Sequence, residues 1–305
     1  MDKDSSLRRP DISICIVSRG TRALLEGCLQ SLLKEDARAN FEVWVVDNGS
    51  QDGTLEMLEA SYPQIGLISL GSNEGYTRPM NRGLRSGIGR YLMQLNPDTV
   101  IQPGMLDCLL EFMEAHPGVG ICTPKVLNRD GTLQRQCRRS AARPWDVLTY
   151  FSGLSGLFPR SRFFGRYLLT YMDPDTTHEA EAVSGSCMMI RREVVDQIGY
   201  LDESFFAYQE DADFCFRARQ AGWKIMYVPT ASLVHFGGEG GSRSEPYSAI
   251  LAWHRSYYLY YKKNLAKDYF FLINGMMYLA MGAKLAFSLL INLVRKDKIV
   301  STPKP

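Results

Sequence analysis

No glycine-rich phosphate loop is written into this sequence. GxGxxG does not follow its first apolar run, and GxxxxGKS/T occurs nowhere. Dinucleotide dehydrogenases and P-loop enzymes cradle phosphates on the backbone N–H groups of such loops, so neither class is favoured. A GxSxG elbow is missing too. VSGSC (183–187) does not fit that pattern, and four histidines offer no convincing triad. There is no CxxC pair. The seven cysteines (15, 28, 108, 122, 137, 187 and 215) are odd in number and scattered, and five lie in apolar surroundings. That usage suits a reduced, intracellular chain in which cysteine serves as a small hydrophobe. Charge of one sign is not in excess, at a formal net +2, and no nucleic-acid partner is expected. The N-terminal MDKDSSLRRPD lacks an apolar h-region, so no signal peptide is expected and the bulk should be cytoplasmic. Repeats and low-complexity tracts are absent.

What is present is a chain of 305 residues, 45% hydrophobic and 22% charged, enough for a sizeable core. Residues 1–10 read as a polar tail. From 11 to 125 strand and helix periods alternate. ISICIVS, EVWVVDNGS, IGLISL, YLMQLNPDT and VGICTP read as strands, separated by ALLEGCLQSLL, TLEMLEAS, TRPMNRGLRSG and PGMLDCLLEFMEAH as helices. Such alternation predicts an α/β fold with a mostly parallel central sheet flanked by helices. Ligands then sit beyond the carboxyl ends of the strands. Those ends carry Ser18-Arg19, Asp47-Asn48, Gly71-Ser72-Asn73 and Asn96-Pro97-Asp98. Over 126–245 the pattern loosens. A hairpin turning at Asp130-Gly131 is expected, then a variable segment over 144–180. A strand over AVSGSCMMIRR, a short helix over EVVDQIG and two short strands within KIMYVPTASLVHFGG follow.

The C-terminal part, 246–305, differs in kind. Tyr269 to Val294 carries one charge, Lys284, so the uncharged run ends at Ala283, short of the roughly 20 apolar residues of a spanning helix. Arg255, Lys262, Lys263 and Lys267 interleave with tyrosines upstream, and Arg295, Lys296 and Lys298 follow. This suits helices lying on an anionic membrane surface. A core or dimer pair of helices, or a span in which Lys284 snorkels, are the other readings.

Several carboxylates read two ways. Asp47 is an Asx-turn acid or an acceptor for a base or ribose. Asp98 is a turn residue or a ligand for a hard divalent cation. His235 is a packed strand-end histidine or part of a site opened by the glycines that follow it. In FFAYQEDADFCFRARQAGW, a helix from Glu210 puts Asp211, Phe214, Cys215 and Ala218 on one face, and pairs Asp213 with Arg217 at i, i+4. Asp211 is then a capping-turn acid or a cleft carboxylate able to act as a general base. Glu210 reads as a capping or acceptor-side acid.

Taken in order, SICIVSRG, VVDNGSQDGT, GSNEGYTRPMNRG, LNPDT, VSGSCMMIRREV and LDESFFAYQEDADFCFRARQAGW…VHFGG resemble family 2 glycosyltransferases of GT-A fold, over roughly residues 11–240. The likeness is closest to the rhamnosyltransferase-like branch of bacterial cell-surface polysaccharide synthesis. It implies an inverting hexosyltransferase using a dTDP-, UDP- or GDP-sugar, with dTDP-rhamnose leading, and a lipid-linked or polysaccharide acceptor. Residues 11–125 would be the nucleotide-binding half and 126–245 the acceptor and catalytic half. Ser18, Arg19, Asp47, Asn73, Arg78, Asn81 and Asn96 would bind the donor. Asp98 and His235 would hold Mg2+ or Mn2+; Asn96-Pro97-Asp98 stands where the family has DxD, leaving one carboxylate. Asp211 matches the catalytic base. The enzyme would work at the cytoplasmic membrane face, and a homodimer is compatible with the sequence. A noncatalytic nucleotide-sugar-binding or scaffold subunit of a polysaccharide synthase, and a UDP-hexose-using transferase, are the alternatives.

Overall fold

A computed structural model describes residues 9–237 and 246–294. Most of the glycine-rich stretch after His235, most of the N-terminal tail and the basic Arg295–Lys298 lie outside the described residues.

The first half follows the alternation. Strands β1 (Ile12–Ser18), β2 (Phe41–Asn48), β3 (Gly66–Leu70) and β4 (Tyr91–Leu95) are separated by helices α1 (Arg22–Leu33), α2 (Thr54–Ser61) and α3 (Thr77–Ser86). They pair in parallel in the order β3-β2-β1-β4. Every residue of β1 is buried, because helices cover both sheet faces. Its side chains alternate between two cores: Ile12, Ile14 and Ile16 pack in one, Cys15 and Val17 in the other.

Beyond β4 come β5 (Thr99–Ile101), α4 (Met105–Ala115), β6 (Val119–Leu127) and the short β7 (Arg138–Arg139). Helices α5 (Pro144–Phe151) and α6 (Leu154–Leu157) follow, then the short β8 (His178–Glu179) and β9 (Ala182–Val183), β10 (Cys187–Arg191) and α7 (Arg192–Ile198). The chain continues through α8 (Glu210–Gln220), β11 (Lys224–His235), α9 (Pro246–Tyr260) and α10 (Phe271–Val294). Helices α1, α2 and α4 cover one sheet face, and α3, α7, α8 and α9 the other.

The sheet is mixed, running β3-β2-β1-β4-β10-β6-β11-β5, with β8 on β11. β10 enters antiparallel between β4 and β6, while β6 and β11 are parallel. The two short strands expected near the end are one, β11. Its pairing with β6 shifts register between Val228 and Ser232, the stretch containing Pro229, and this break imitates a strand boundary in the sequence. The expected strand over AVSGSCMMIRR is two, because Ser184 to Ser186 turn away between β9 and β10. The variable segment is built on defined contacts. Asp146 is buried and accepts from Ser140 Oγ at 3.1 Å, and Trp145 packs on Phe163 at 4.8 Å. Its turns alternate with short helices, which explains why no single period shows.

The Asp130-Gly131 turn is present, with Asn128 N donating to Thr132 O at 2.8 Å. All seven cysteines are free, and all but Cys108 are buried.

Candidate active site

The carboxyl ends of β1, β2 and β4 converge. Ser18 and Asp47 are register partners on neighbouring strands, and Arg19 is half-buried beside them. Asp47 is fully buried. Its Oδ2 accepts from Ser50 N at 3.1 Å, the expected Asx turn, while Oδ1 has no hydrogen-bond partner among the described residues. A buried carboxylate oxygen left unpaired is costly, and a ligand hydroxyl or N–H would satisfy it.

Asn73 organises its own loop, its Oδ1 accepting from Gly75 N at 3.0 Å and Asn48 Nδ2 at 3.2 Å. Asn81, expected on the donor side, is engaged inside the protein. It is fully buried and gives its amide protons to Leu201 O and Glu203 Oε1, while its Oδ1 accepts from Leu201 N. These bonds brace α3 against the segment before α8, and the sequence carries no local sign of them because the partner lies 120 residues away. Arg78 is drawn to Glu203, with its Nε 3.8 Å from Oε2, on the exposed side of α3.

Pairing of β5 with β11 sets His235 opposite Thr99, next to Asp98. His235 Nε2 lies 3.1 Å from Asp98 Oδ1. His235 Nδ1–H donates to Gln134 Oε1 at 2.7 Å, and Asn96 Nδ2 donates toward Nε2 at 3.3 Å. This tautomer turns the Nε2 lone pair, shared with the Asn96 amide, toward a carboxylate oxygen. Two such acceptors attract only with a proton or a metal cation between them. One carboxylate and one imidazole therefore fit a hard divalent cation with places left for other oxygen donors, and Gln134 fixes the imidazole as an outer partner does. Among the described residues no cluster holds three His, Cys, Asp or Glu side chains.

Helix α8 begins at Glu210 after two residues in the left-handed region, Tyr208 (φ 67°) and Gln209 (φ 62°). Non-glycine residues there carry strain of roughly 1 kcal/mol or more each. Asp211, Phe214, Cys215 and Ala218 share the buried face, and Asp213 pairs with Arg217 at 2.8 Å. Asp211 is not simply a capping acid. Its Oδ1 meets Arg139 Nη2 at 2.8 Å and Oδ2 accepts from Gly185 N at 3.0 Å. A Cβ at Gly185 would lie 2.2 Å from Gln94 Nε2, so any other residue there would push the end of the Gln94 side chain aside.

Gln94 links the two ends of the site. One Nε2 proton goes to Gly185 O and the other to Tyr76 Oη, both at 3.0 Å. Tyr76 Oη donates in turn to Asn96 Oδ1 at 3.1 Å. Burial and the Glu210 carboxyl raise the Tyr76 pKa well above its usual value, which keeps it a neutral donor. The result is an unbroken chain of polar contacts from Asp211 through Gly185, Gln94, Tyr76 and Asn96 to His235 and Gln134.

Arg139, Gln134, Gln94 and Tyr76 were not anticipated from sequence. Gln94 alone left a signal: a glutamine inside the apolar strand YLMQL, buried on both faces, must have partners.

Comparison with known proteins places the chain. The family model described as glycosyltransferase like family 2 matches residues 10–255. An N-acetylglucosaminyl-diphospho-decaprenol L-rhamnosyltransferase of Mycobacterium tuberculosis (strain H37Rv) is 31% identical over 248 residues, 77% of this chain and 79% of that protein. The low-salt glycan biosynthesis hexosyltransferase Agl10 of Haloferax volcanii is 31% identical over 203 residues, 64% of this chain and 58% of its own length. In fold it is similar to S. aureus TarS 1-349 in complex with UDP-GlcNAc, at TM-score 0.57, 18% identity and coverage of 82% and 65% of the two chains. It is also similar to a Pyrobaculum calidifontis mannosyltransferase with GDP-Man and Mn2+, at TM-score 0.54, 16% identity and coverage of 83% and 64%. This mixed α/β sheet is thus a GT-A fold, and the chain belongs to glycosyltransferase family 2.

Proposed function

We propose that residues 11–245 form a catalytic domain that transfers a sugar, with inversion, from a nucleotide diphosphosugar to a hydroxyl of a lipid-linked glycan at the cytoplasmic membrane face, to which α10 attaches it. L-Rhamnose from dTDP-rhamnose is the donor we favour, because the mycobacterial relative is named an L-rhamnosyltransferase and covers most of both chains. The observation that carries the reading is the polar chain joining Asp211 to the Asp98–His235 pair, which fixes two chemically different ends of one site.

At one end, Asp47 and its unpaired Oδ1 take a donor-side hydroxyl or N–H, with Ser18 and Arg19 beside it and Asn73 and Asn96 shaping the wall. Asp98 and His235 hold Mg2+ or Mn2+, which when bound neutralises charge on the leaving diphosphate. At the other end Asp211 takes the proton of the acceptor hydroxyl as it attacks the anomeric carbon opposite the diphosphate. Arg139 orients that carboxylate through its Oδ1, and Gly185 N fixes the second oxygen. A single base suffices for inversion by direct displacement.

A donor panel tests this. Thermal stabilisation and slow hydrolysis in Mg2+ or Mn2+ should be greatest with dTDP-rhamnose among dTDP-, UDP- and GDP-sugars. Stabilisation by UDP-hexoses alone would move the donor assignment, and response to none would support a noncatalytic subunit.

A further inference from the structure

Helix α10 is amphipathic in the wrong sense for water. Asn274, Tyr278, Lys284, Ser288 and Asn292, at helical spacing, are turned in and partly or fully buried. The opposite side leaves Met276 71% and Leu279 76% exposed, with Phe271, Phe287 and Leu290 similarly open. A soluble domain turns its helices the other way. The helix is 24 residues long and apolar enough to cross a membrane by length and composition, yet Tyr258 meets Tyr278 and Trp253 meets Lys284, so it runs antiparallel along α9.

A second apolar surface adjoins it. Between α5 and the turn after α6, Leu148, Leu157, Phe158 and Phe163 are exposed, Leu157 by 73%. The two surfaces meet at Lys284, whose Nζ sits 4.8 Å from the Phe151 ring and 4.4 Å from that of Trp253. Charge decides what covers them. Residues 144–172 and 246–294 hold eight lysines and arginines against two acids, Asp146 and Asp268, and Asp146 is buried near Arg143. Arg160 and Arg162 are exposed between Phe158 and Phe163. A second copy across a two-fold axis would set this basic rim against another basic rim. An anionic bilayer offers apolar chains bordered by negative headgroups.

We infer that the 148–163 segment is a second membrane-contacting element. It shares one bilayer-facing surface with α10, placing Leu157, Phe158 and Phe163 at the acyl boundary and Arg160 and Arg162 among headgroup phosphates. It rests on the proposed attachment of α10. The segment is rooted at the site. It departs just after Arg139, the partner of Asp211, and returns at Tyr167, whose carbonyl accepts from Ser140 N at 2.9 Å. A lipid-linked acceptor held where this surface meets the bilayer would therefore enter beside the base.

The test is co-sedimentation of the full chain with vesicles of phosphatidylcholine alone or with phosphatidylglycerol. L157D/F158D is compared with the α10 variant L279D/F287D, with thermal melting and transfer to a soluble acceptor as controls. Because two side chains no longer leave water, L157D/F158D should lose at least about 10-fold in partitioning to anionic vesicles. It should keep its melting temperature and its soluble-acceptor rate. If L157D/F158D binds like the wild type while L279D/F287D does not, this inference falls and the α10 attachment stands. If the wild type binds neither vesicle, both fall. A wild-type dimer that L157D/F158D dissociates, without vesicle binding, would assign the surface to a second copy and overturn the inference.

Discussion

Arg139 and Asp211 form a close ion pair, 2.8 Å from Nη2 to Oδ1, with both side chains almost closed to solvent. Their sequence separation of 72 residues is bridged because β7 and β9 pair and α8 packs over them. A base held this way is aimed, with both carboxylate oxygens fixed. Asp211→Asn should lower the transfer rate by roughly 10²–10⁴-fold, the usual contribution of a positioned base. Nucleotide affinity, measured by calorimetry, should stay within about 3-fold, on the reasoning that the base acts in the transition state rather than in donor binding. Equal loss of both would assign Asp211 a structural role.

Asp98 and His235 predict a metal response. Asp98→Ala should abolish stimulation by Mg2+ or Mn2+ and leave the residual rate indifferent to EDTA. A variant still inhibited by EDTA would remove Asp98 from the metal site. Gln134→Leu frees the His235 ring without touching the pair directly. Loss of an outer partner typically costs 10–100-fold in metal affinity, so Mn2+ binding by this variant, read from the spin-resonance signal, should weaken by about that factor.

Glu210 is buried, and its Oε2 has no hydrogen-bond partner among the described residues. Burial, then the Asp211 charge, pushes its pKa up to about 8, from 4.5. The folded state therefore binds its proton more tightly than the unfolded state. Stability from this group is full below about pH 4.5 and is lost as pH rises towards 8. Glu210→Gln should raise the melting temperature, little at pH 5 and more at pH 8, in parallel thermal scans. A gain independent of pH would refute the assignment.

Asp213 is fully buried and receives Arg217 Nε at 2.8 Å, Lys263 Nζ at 2.8 Å and Asn264 Nδ2 at 2.9 Å. It thus ties α8 to the chain just after α9. Asp213→Ala leaves Arg217 without its carboxylate, while Lys263 keeps Asp202, and should cost on the order of 3 kcal/mol in urea unfolding, the low end for breaking a buried pair. A loss below about 1 kcal/mol would show that Arg217 finds water instead.

Which of these features the sequence revealed depended on distance along the chain. Asp213 and Arg217 lie one helical turn apart, and the i, i+4 rule finds them. Asp47 and Asp98 end apolar strands, and the general geometry of parallel sheets directs attention there. Arg139, Gln134 and Tyr76 act through partners 18 to 101 residues away, and nothing local marks them. The contacts of Asn81 were equally hidden: its motif points to a donor, and its buried amide also serves Leu201 and Glu203 far along the chain. The sheet's parallel start was visible in the strand and helix periods. The antiparallel entry of β10 was not, since an apolar strand carries no mark of its direction.

That entry has a consequence for how the chain is made. When the ribosome has released β1 to β4, the β4 edge that will meet β10 is still bare, and its cover is about 90 residues downstream. Bare apolar edges pair with whatever strand is near. A nascent chain stalled before residue 187 would expose such an edge and depend on chaperones, and truncation at 186 should yield aggregates rather than a folded nucleotide-binding fragment.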